Sequence, residues 1–180
     1  MASSKKAAIN LRAHRLGGRR LFEIALKLRK ITTAAGTPLV VAGRVDVAIA
    51  AGADAVQLGA HTVPLEAAAE LCGKHGKKFG YSCHSVQEVV AAWKAGASYV
   101  YLGTVFSSAS KPGVAPCGVD LLAKTCESVD IPVVAIGGID PTNAGRVAGA
   151  GASGLAAISA IWNASDPREA VMELAAFFRE

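Results

Sequence analysis

The chain has 180 residues, 52% hydrophobic and only 6% aromatic, which predicts a single domain (1–180) whose core is packed by Ala, Val, Leu and Ile. Its net charge is +5, but no uncharged apolar run reaches the roughly 18 residues of a membrane span. Met1-Ala-Ser-Ser-Lys-Lys6 leads into arginines rather than an apolar stretch, so no secretory signal is read.

Residues 1–30 hold nine Lys/Arg and one acid, Glu23, whereas residues 31–180 hold ten against thirteen. Such a front suggests attraction to nucleic acid or membrane, a transit peptide, or a solvated helix face beside a strand end that meets an anionic ligand. The last reading is preferred. Leu21, Ile24, Ala25 and Leu28 have helical spacing, and no RNA-binding or helix-turn-helix motif accompanies the charge. Neither nucleic acid nor membrane is therefore expected as a partner.

Along the chain, Ala7 to Arg12 reads as a strand and 19–35 as an amphipathic helix ending at Gly36. Pro38 to Ala42 is a strand, Arg44 to Ala51 a short helix, Asp54 to Gly59 a strand, and Pro64 to His75 a helix with Pro in its first turn. Lys78 to Ser82 is a strand, and Ser85-Val-Gln-Glu88 is a capping-box pattern opening a helix to Ala95. Ser98 to Gly103 is a strand, 104–118 a long loop, 118–129 a helix and Ile131 to Ile136 a strand. Asp140-Pro-Thr-Asn143 opens another helix, Gly154 to Ser159 is a strand, and Asp166-Pro167 starts the last helix, to about Arg179. The four cysteines (Cys72, Cys83, Cys117, Cys126) form no CxxC pair and read as reduced and structural, in a cytoplasmic protein.

Three times a helix ends in Gly-Ala before a strand: at Gly52, Gly96 and Gly151. Glycine suits the left-handed residue that terminates a helix. Short apolar runs between helices are what buried parallel strands look like. The repeat predicts an α/β fold, a TIM (β/α)8-type barrel or a doubly wound sheet. Seven strands are found where a closed barrel needs eight, and the deficit is at the front, as if the first βα unit were absent. An open barrel has unpaired edges, so the chain is expected to self-associate as a homo-oligomer or to be poorly stable alone.

Pro38-Leu-Val-Val-Ala-Gly-Arg-Val-Asp46, Val56-Gln-Leu-Gly59, Ser82-Cys-His-Ser85, Gly103-Thr-Val-Phe106, Ser108-Ala-Ser-Lys-Pro112, Val134 to Ile139 and Ala157 to Ile161 occur in this order. Together they resemble thiamine phosphate synthase and its relative, the TenI-type thiazole tautomerase. The resemblance implies a (β/α)8 barrel in vitamin B1 synthesis. It also implies small phosphorylated thiazole and pyrimidine ligands. The synthase is a transferase that joins hydroxymethylpyrimidine diphosphate to thiazole phosphate and expels pyrophosphate, with Mg²⁺.

Gly137-Gly138 lies at one strand end and Ile158-Ser159 at the next, where barrel phosphates commonly bind backbone N–H groups. By resemblance, Gly137, Gly138, Ile158 and Ser159 would hold the thiazole phosphate. Ser108, Ser110 and Lys111 match a Thr-x-Thr-Lys segment that holds pyrophosphate, and Ser82 matches another such hydroxyl. Lys111 and Ser82 are the candidate catalytic residues. Asn10, Arg12 and His14 alternate, so one strand would present all three on one face. They stand where the synthases carry Gln-x-Arg-x-Lys, which makes Asn10 and Arg12 candidate substrate contacts.

Three further positions depart from the family in ways that bear on its chemistry. Gly43 and Thr62 replace the two aspartates that bind Mg²⁺, an ion that favours carboxylate oxygens, so no metal ligand is assigned. Thr104 replaces the TenI-type catalytic His, and Thr is no general base near pH 7. His14, His61 and His84 are the remaining imidazoles that could carry a proton. The preferred reading is TenI-like binding of a phosphorylated thiazole. A true synthase and a non-catalytic or regulatory barrel are the alternatives, so catalysis itself is left open.

Overall fold

The computed structural model describes residues 7–108 and 112–178. They form two compact units, one of residues up to Tyr81 with Ala95–Ala97, the other of Ser82–Lys94 with the chain from Ser98 onward.

The first unit alternates β1 (Ile9–Leu11), α1 (Gly18–Ala34), β2 (Leu39–Ala42), α2 (Val45–Ala50), β3 (Ala55–Leu58), α3 (Leu65–Lys74) and β4 (Lys78–Cys83), whose last two residues belong to the second unit. The strands pair in parallel, with Asn10 opposite Val40, Val41 opposite Val56, and Val56 opposite Phe79. Every residue of β2 and β3 is buried, as expected of parallel strands covered on both faces. α1 buries Leu21, Ala25 and Thr32, one stripe of the predicted amphipathic helix. It ends in a left-handed Gly36, where the Thr37 N–H donates to the Thr32 carbonyl at 2.8 Å, the closure that satisfies a helix's last carbonyls. Asp54 then ties three elements together. Its carboxylate accepts from Arg29 at 2.6 Å and from the Leu39 N–H at 2.7 Å.

The second unit contains α4 (Val86–Lys94), β5 (Tyr99–Gly103), α5 (Gly118–Cys126), β6 (Val133–Ile136), α6 (Ala144–Gly149), β7 (Gly154–Ala156), α7 (Ser159–Trp162) and α8 (Pro167–Ala176). Val100 pairs with Val133, and Ile136 with Ala156, again in parallel. Half of the capping box forms: Ser85 Oγ accepts from the Glu88 N–H at 3.2 Å, while the Glu88 carboxylate accepts from the N–H of His84, one residue before Ser85, at 2.8 Å. Asp166 accepts from the N–H groups of Arg168 and Glu169. Gly52, Gly96 and Gly151, the three repeat glycines, all have positive φ.

The α/β reading with parallel strands therefore holds in both units, with seven strands among the described residues. Three local expectations change. The strand expected over Gly154 to Ser159 stops at Ala156, and Ser159 opens α7, a fourth helix segment after β5 that the sequence reading lacks. Asp140 does not cap a helix. Its carboxylate accepts from the Thr142 N–H at 2.8 Å and hydroxyl at 2.6 Å, a local turn that delays α6 to Ala144. β1 ends at Leu11, so Arg12 and His14 lie beyond the strand, both exposed, and do not extend one face with Asn10. Among the described residues no helix is long and apolar enough to cross a membrane.

Candidate functional site

In the second unit the C-terminal ends of β5, β6 and β7 lie side by side, because the register is parallel. The segment after β5 continues along the end of β6. Val105 N–H donates to the Ile136 carbonyl and Phe106 N–H to the Gly137 carbonyl, both at 3.0 Å. This contact walls in the two glycines. A Cβ on Gly137 would lie 2.6 Å from Thr104 Cγ2, and one on Gly138 would strike the Ser107 carbonyl and lie 2.8 Å from that of Phe106. Both glycines have positive φ, 103° and 65°. Their lack of side chains is thus required by backbone packing as well as by the turn.

The turn is braced by Asn143, which the sequence reading treats only as part of a helix start. Asn143 Nδ2 donates to the Gly138 carbonyl at 2.9 Å, while its Oδ1 accepts from the Asp140 N–H at 3.1 Å. The signal for it was thin: one Asn five residues after a Gly pair. Phe106 is covered by Arg146, whose guanidinium lies 5.2 Å from the ring centroid. Ile158 and Ser159 are exposed at the end of β7, and a helix's first N–H groups have no partner within the helix. Gly137–Gly138 and Ile158–Ser159 therefore follow neighbouring strand ends, the second with an exposed hydroxyl and the start of α7. That is chemistry suited to an anion.

Ser82 is half-buried near the end of β4, and Ser108 is half-buried just past the Phe106 segment. Ser110 and Lys111 lie outside the described residues. Thr104, at the place of the expected TenI-type His, is buried. His84 Nδ1 is hydrogen-bonded to the carbonyl of Gly103, the residue before Thr104. Cys83 is buried beside Glu88, and both effects, burial first, push its thiol up to about 12, so it stays protonated and unreactive at neutral pH.

In the first unit, Asn10 sits in β1 with a buried Oδ1 that has no hydrogen-bond partner among the described residues. Gly43 follows β2 with φ 77°. A Cβ there would stand 3.6 Å from His14 Cε1 and 3.7 Å from Thr62 Cγ2, in ordinary contact. Thr62 Oγ donates to the Gly59 carbonyl at 2.7 Å and accepts from its N–H at 3.2 Å. Asp46 is gripped by Arg44 through Nε at 2.8 Å and a terminal nitrogen at 2.5 Å. That forked hydrogen bond lowers the Asp46 pKa and raises that of Arg44.

The model of the thiamine monophosphate synthase family (TMP-TENI) matches residues 1–161. The chain belongs to this thiamine monophosphate synthase family. It is 43% identical over 159 residues to the thiamine-phosphate synthase of Chloroflexus aurantiacus, covering 88% of this chain and 73% of that one. It is 41% identical over 167 residues to the thiamine-phosphate synthase of Pyrococcus furiosus, covering 93% and 80%. A solved structure of thiamine phosphate pyrophosphorylase from Pyrococcus furiosus matches with a TM-score of 0.87 at 40% identity, over 95% of this chain and 82% of that one. A 3-hexulose-6-phosphate synthase matches in fold alone, at 22% identity and TM-score 0.68, over 91% and 86% of the two chains. The family resemblance carried by the sequence motifs is thus upheld.

Proposed function

We propose that the chain is a thiamine-phosphate synthase, joining a hydroxymethylpyrimidine diphosphate to a thiazole phosphate. The observation that carries this reading is the pair of strand ends at Gly137–Gly138 and Ile158–Ser159, in a chain 43% and 41% identical to two named thiamine-phosphate synthases. A new C–N bond forms at the pyrimidine's methylene carbon as its C–O bond to diphosphate breaks, and pyrophosphate leaves. Positioning and charge stabilisation are the protein's contribution to such a step. The N–H of Gly138 and the first turn at Ser159 would hold the thiazole phosphate, with Ile158 beside it. Ser82, Ser108, Ser110 and Lys111 would receive the departing pyrophosphate, Lys111 by its charge. Asn10 and Arg12 would contact substrate, the buried Asn10 Oδ1 offering a free acceptor. The reduced cysteines suit a cytoplasmic enzyme.

This reading replaces TenI-like binding as the first choice because the relatives named above are synthases. TenI-like binding stays as the second, favoured by one observation: Gly43 and Thr62 supply no carboxylate. In that case the same strand ends would hold the thiazole phosphate and no coupling would occur. His84, fixed on the Gly103 carbonyl, would then be the proton carrier to test, since Thr104 has no base to offer.

The deciding experiment supplies both substrates and follows thiamine phosphate by chromatography. Product formed in proportion to enzyme supports the synthase. Tight binding of thiazole phosphate with no product supports the second reading, and no binding of either substrate rejects both.

A further inference from the structure

Mg²⁺ is implied at this family's aspartate pair, and the residues present do not fit it. Mg²⁺ demands oxygen ligands in near-octahedral array, usually including carboxylates. Gly43 brings no side-chain ligand atom. The Thr62 hydroxyl is turned back into its own loop and engaged at both its proton and its lone pairs by Gly59. Asp46, the acid left in the segment, is held by two nitrogens of Arg44. Among the described residues no group of three or more His, Cys, Asp or Glu side chains stands together to hold a metal ion.

His14, which stands at the Lys of the Gln-x-Arg-x-Lys pattern, meets Gly43 and Thr62 in one place. Residues 14, 43 and 62 are far apart in sequence, yet the imidazole of His14 and the methyl of Thr62 both line the space into which a side chain at Gly43 would grow. Where the family pattern has Lys and two aspartates, this chain has an imidazole, a self-bonded hydroxyl and a glycine. The change removes two anions and the reason to bind a dication between them.

We infer that this corner of the first unit holds no divalent cation and that the chain takes the diphosphate end of its ligand without one. The inference rests on the reading that the chain accepts a diphosphate. It is tested separately from turnover by titrating Mn²⁺ alone into the protein and reading the free ion by electron paramagnetic resonance. The parent chain is expected to leave the free Mn²⁺ signal unchanged, and G43D/T62D to bind Mn²⁺ at least about tenfold more tightly. A parent chain that takes up one Mn²⁺, or a folded G43D/T62D that gains none, overturns the inference. The parent arm decides by itself if G43D/T62D does not fold. Calorimetry with inorganic pyrophosphate gives a second readout: affinity in EDTA and in Mg²⁺ should agree within about threefold. A loss of tenfold or more in EDTA overturns the inference. Pyrophosphate that binds in neither condition counts against the synthase reading, while the Mn²⁺ arm still decides the metal question.

Discussion

Gly138 and Gly43 each follow a parallel strand with a positive φ, 65° and 77°, but their surroundings differ. Gly138 is enclosed by backbone, the carbonyls of Phe106 and Ser107, which cannot move without breaking the Phe106–Gly137 hydrogen bond. Gly43 faces side chains, His14 and Thr62, at ordinary contact distance. The first glycine is dictated by packing as well as by its φ. The second is dictated only by its φ, so the chemistry beside it is free to change without harming the fold. The difference teaches that the turn of the second unit cannot take a side chain without moving backbone, whereas the corner of the first unit has room for one.

The sharpest way to break this comparison is Gly138→Val. Backbone clash and strain together should cost about 3 kcal/mol or more and abolish binding of thiazole phosphate, checked by thermal melts and calorimetry. A variant that melts and binds like the parent would place the phosphate elsewhere. Gly43→Ala should cost only about 1 kcal/mol, the strain of positive φ, and leave thiazole phosphate affinity unchanged. If it costs as much as Gly138→Val, the two glycines are not different in kind.

Asn143→Ala should come next. It removes two hydrogen bonds from the turn that holds Gly138 and should cost about 1–2 kcal/mol, with thiazole phosphate affinity falling several-fold. Equal affinity in the variant would mean the glycine turn holds itself. The smallest effect is expected at the surface pair in the first unit. Asp46→Asn should cost less than about 1 kcal/mol, because both partners are substantially exposed. The sign follows from the lowered Asp46 pKa. The stabilisation is present above the unfolded carboxylate value and is lost as pH falls through the lower folded one, so parent and variant should converge in acid. Denaturant melts at neutral and acid pH would show it; a difference that grows in acid would refute the pairing.

Much of the architecture was legible because its signals are local. Ala25 and Leu21 fall on one helical face, Gly52, Gly96 and Gly151 sit where helices must end, and Ser85 with Glu88 closes a cap within four residues. The misses are also local but involve competing short-range bonds. Asp140 is a good N-cap by type, yet its carboxylate is captured by Thr142. Ile158 and Ser159 follow an apolar run by pattern, yet the chain turns into α7 because β7 ends at Ala156. The Asn10, Arg12, His14 alternation assumes that β1 continues, and its pairing with β2 ends at Leu11.

The sequence by itself determined the α/β repeat, the strand ends that carry the glycines and hydroxyls, and the family to which they belong. All of these follow from periodicity, turn chemistry and motif order along the chain. Only the tertiary structure decided which glycines are enclosed, that Asn143 braces the Gly138 turn, that the Thr62 hydroxyl and Asp46 are already engaged, and that His14, Gly43 and Thr62 meet. Each of these is a distance between atoms of residues remote in sequence or across a turn, and such distances are set by strand register and packing rather than by residue type.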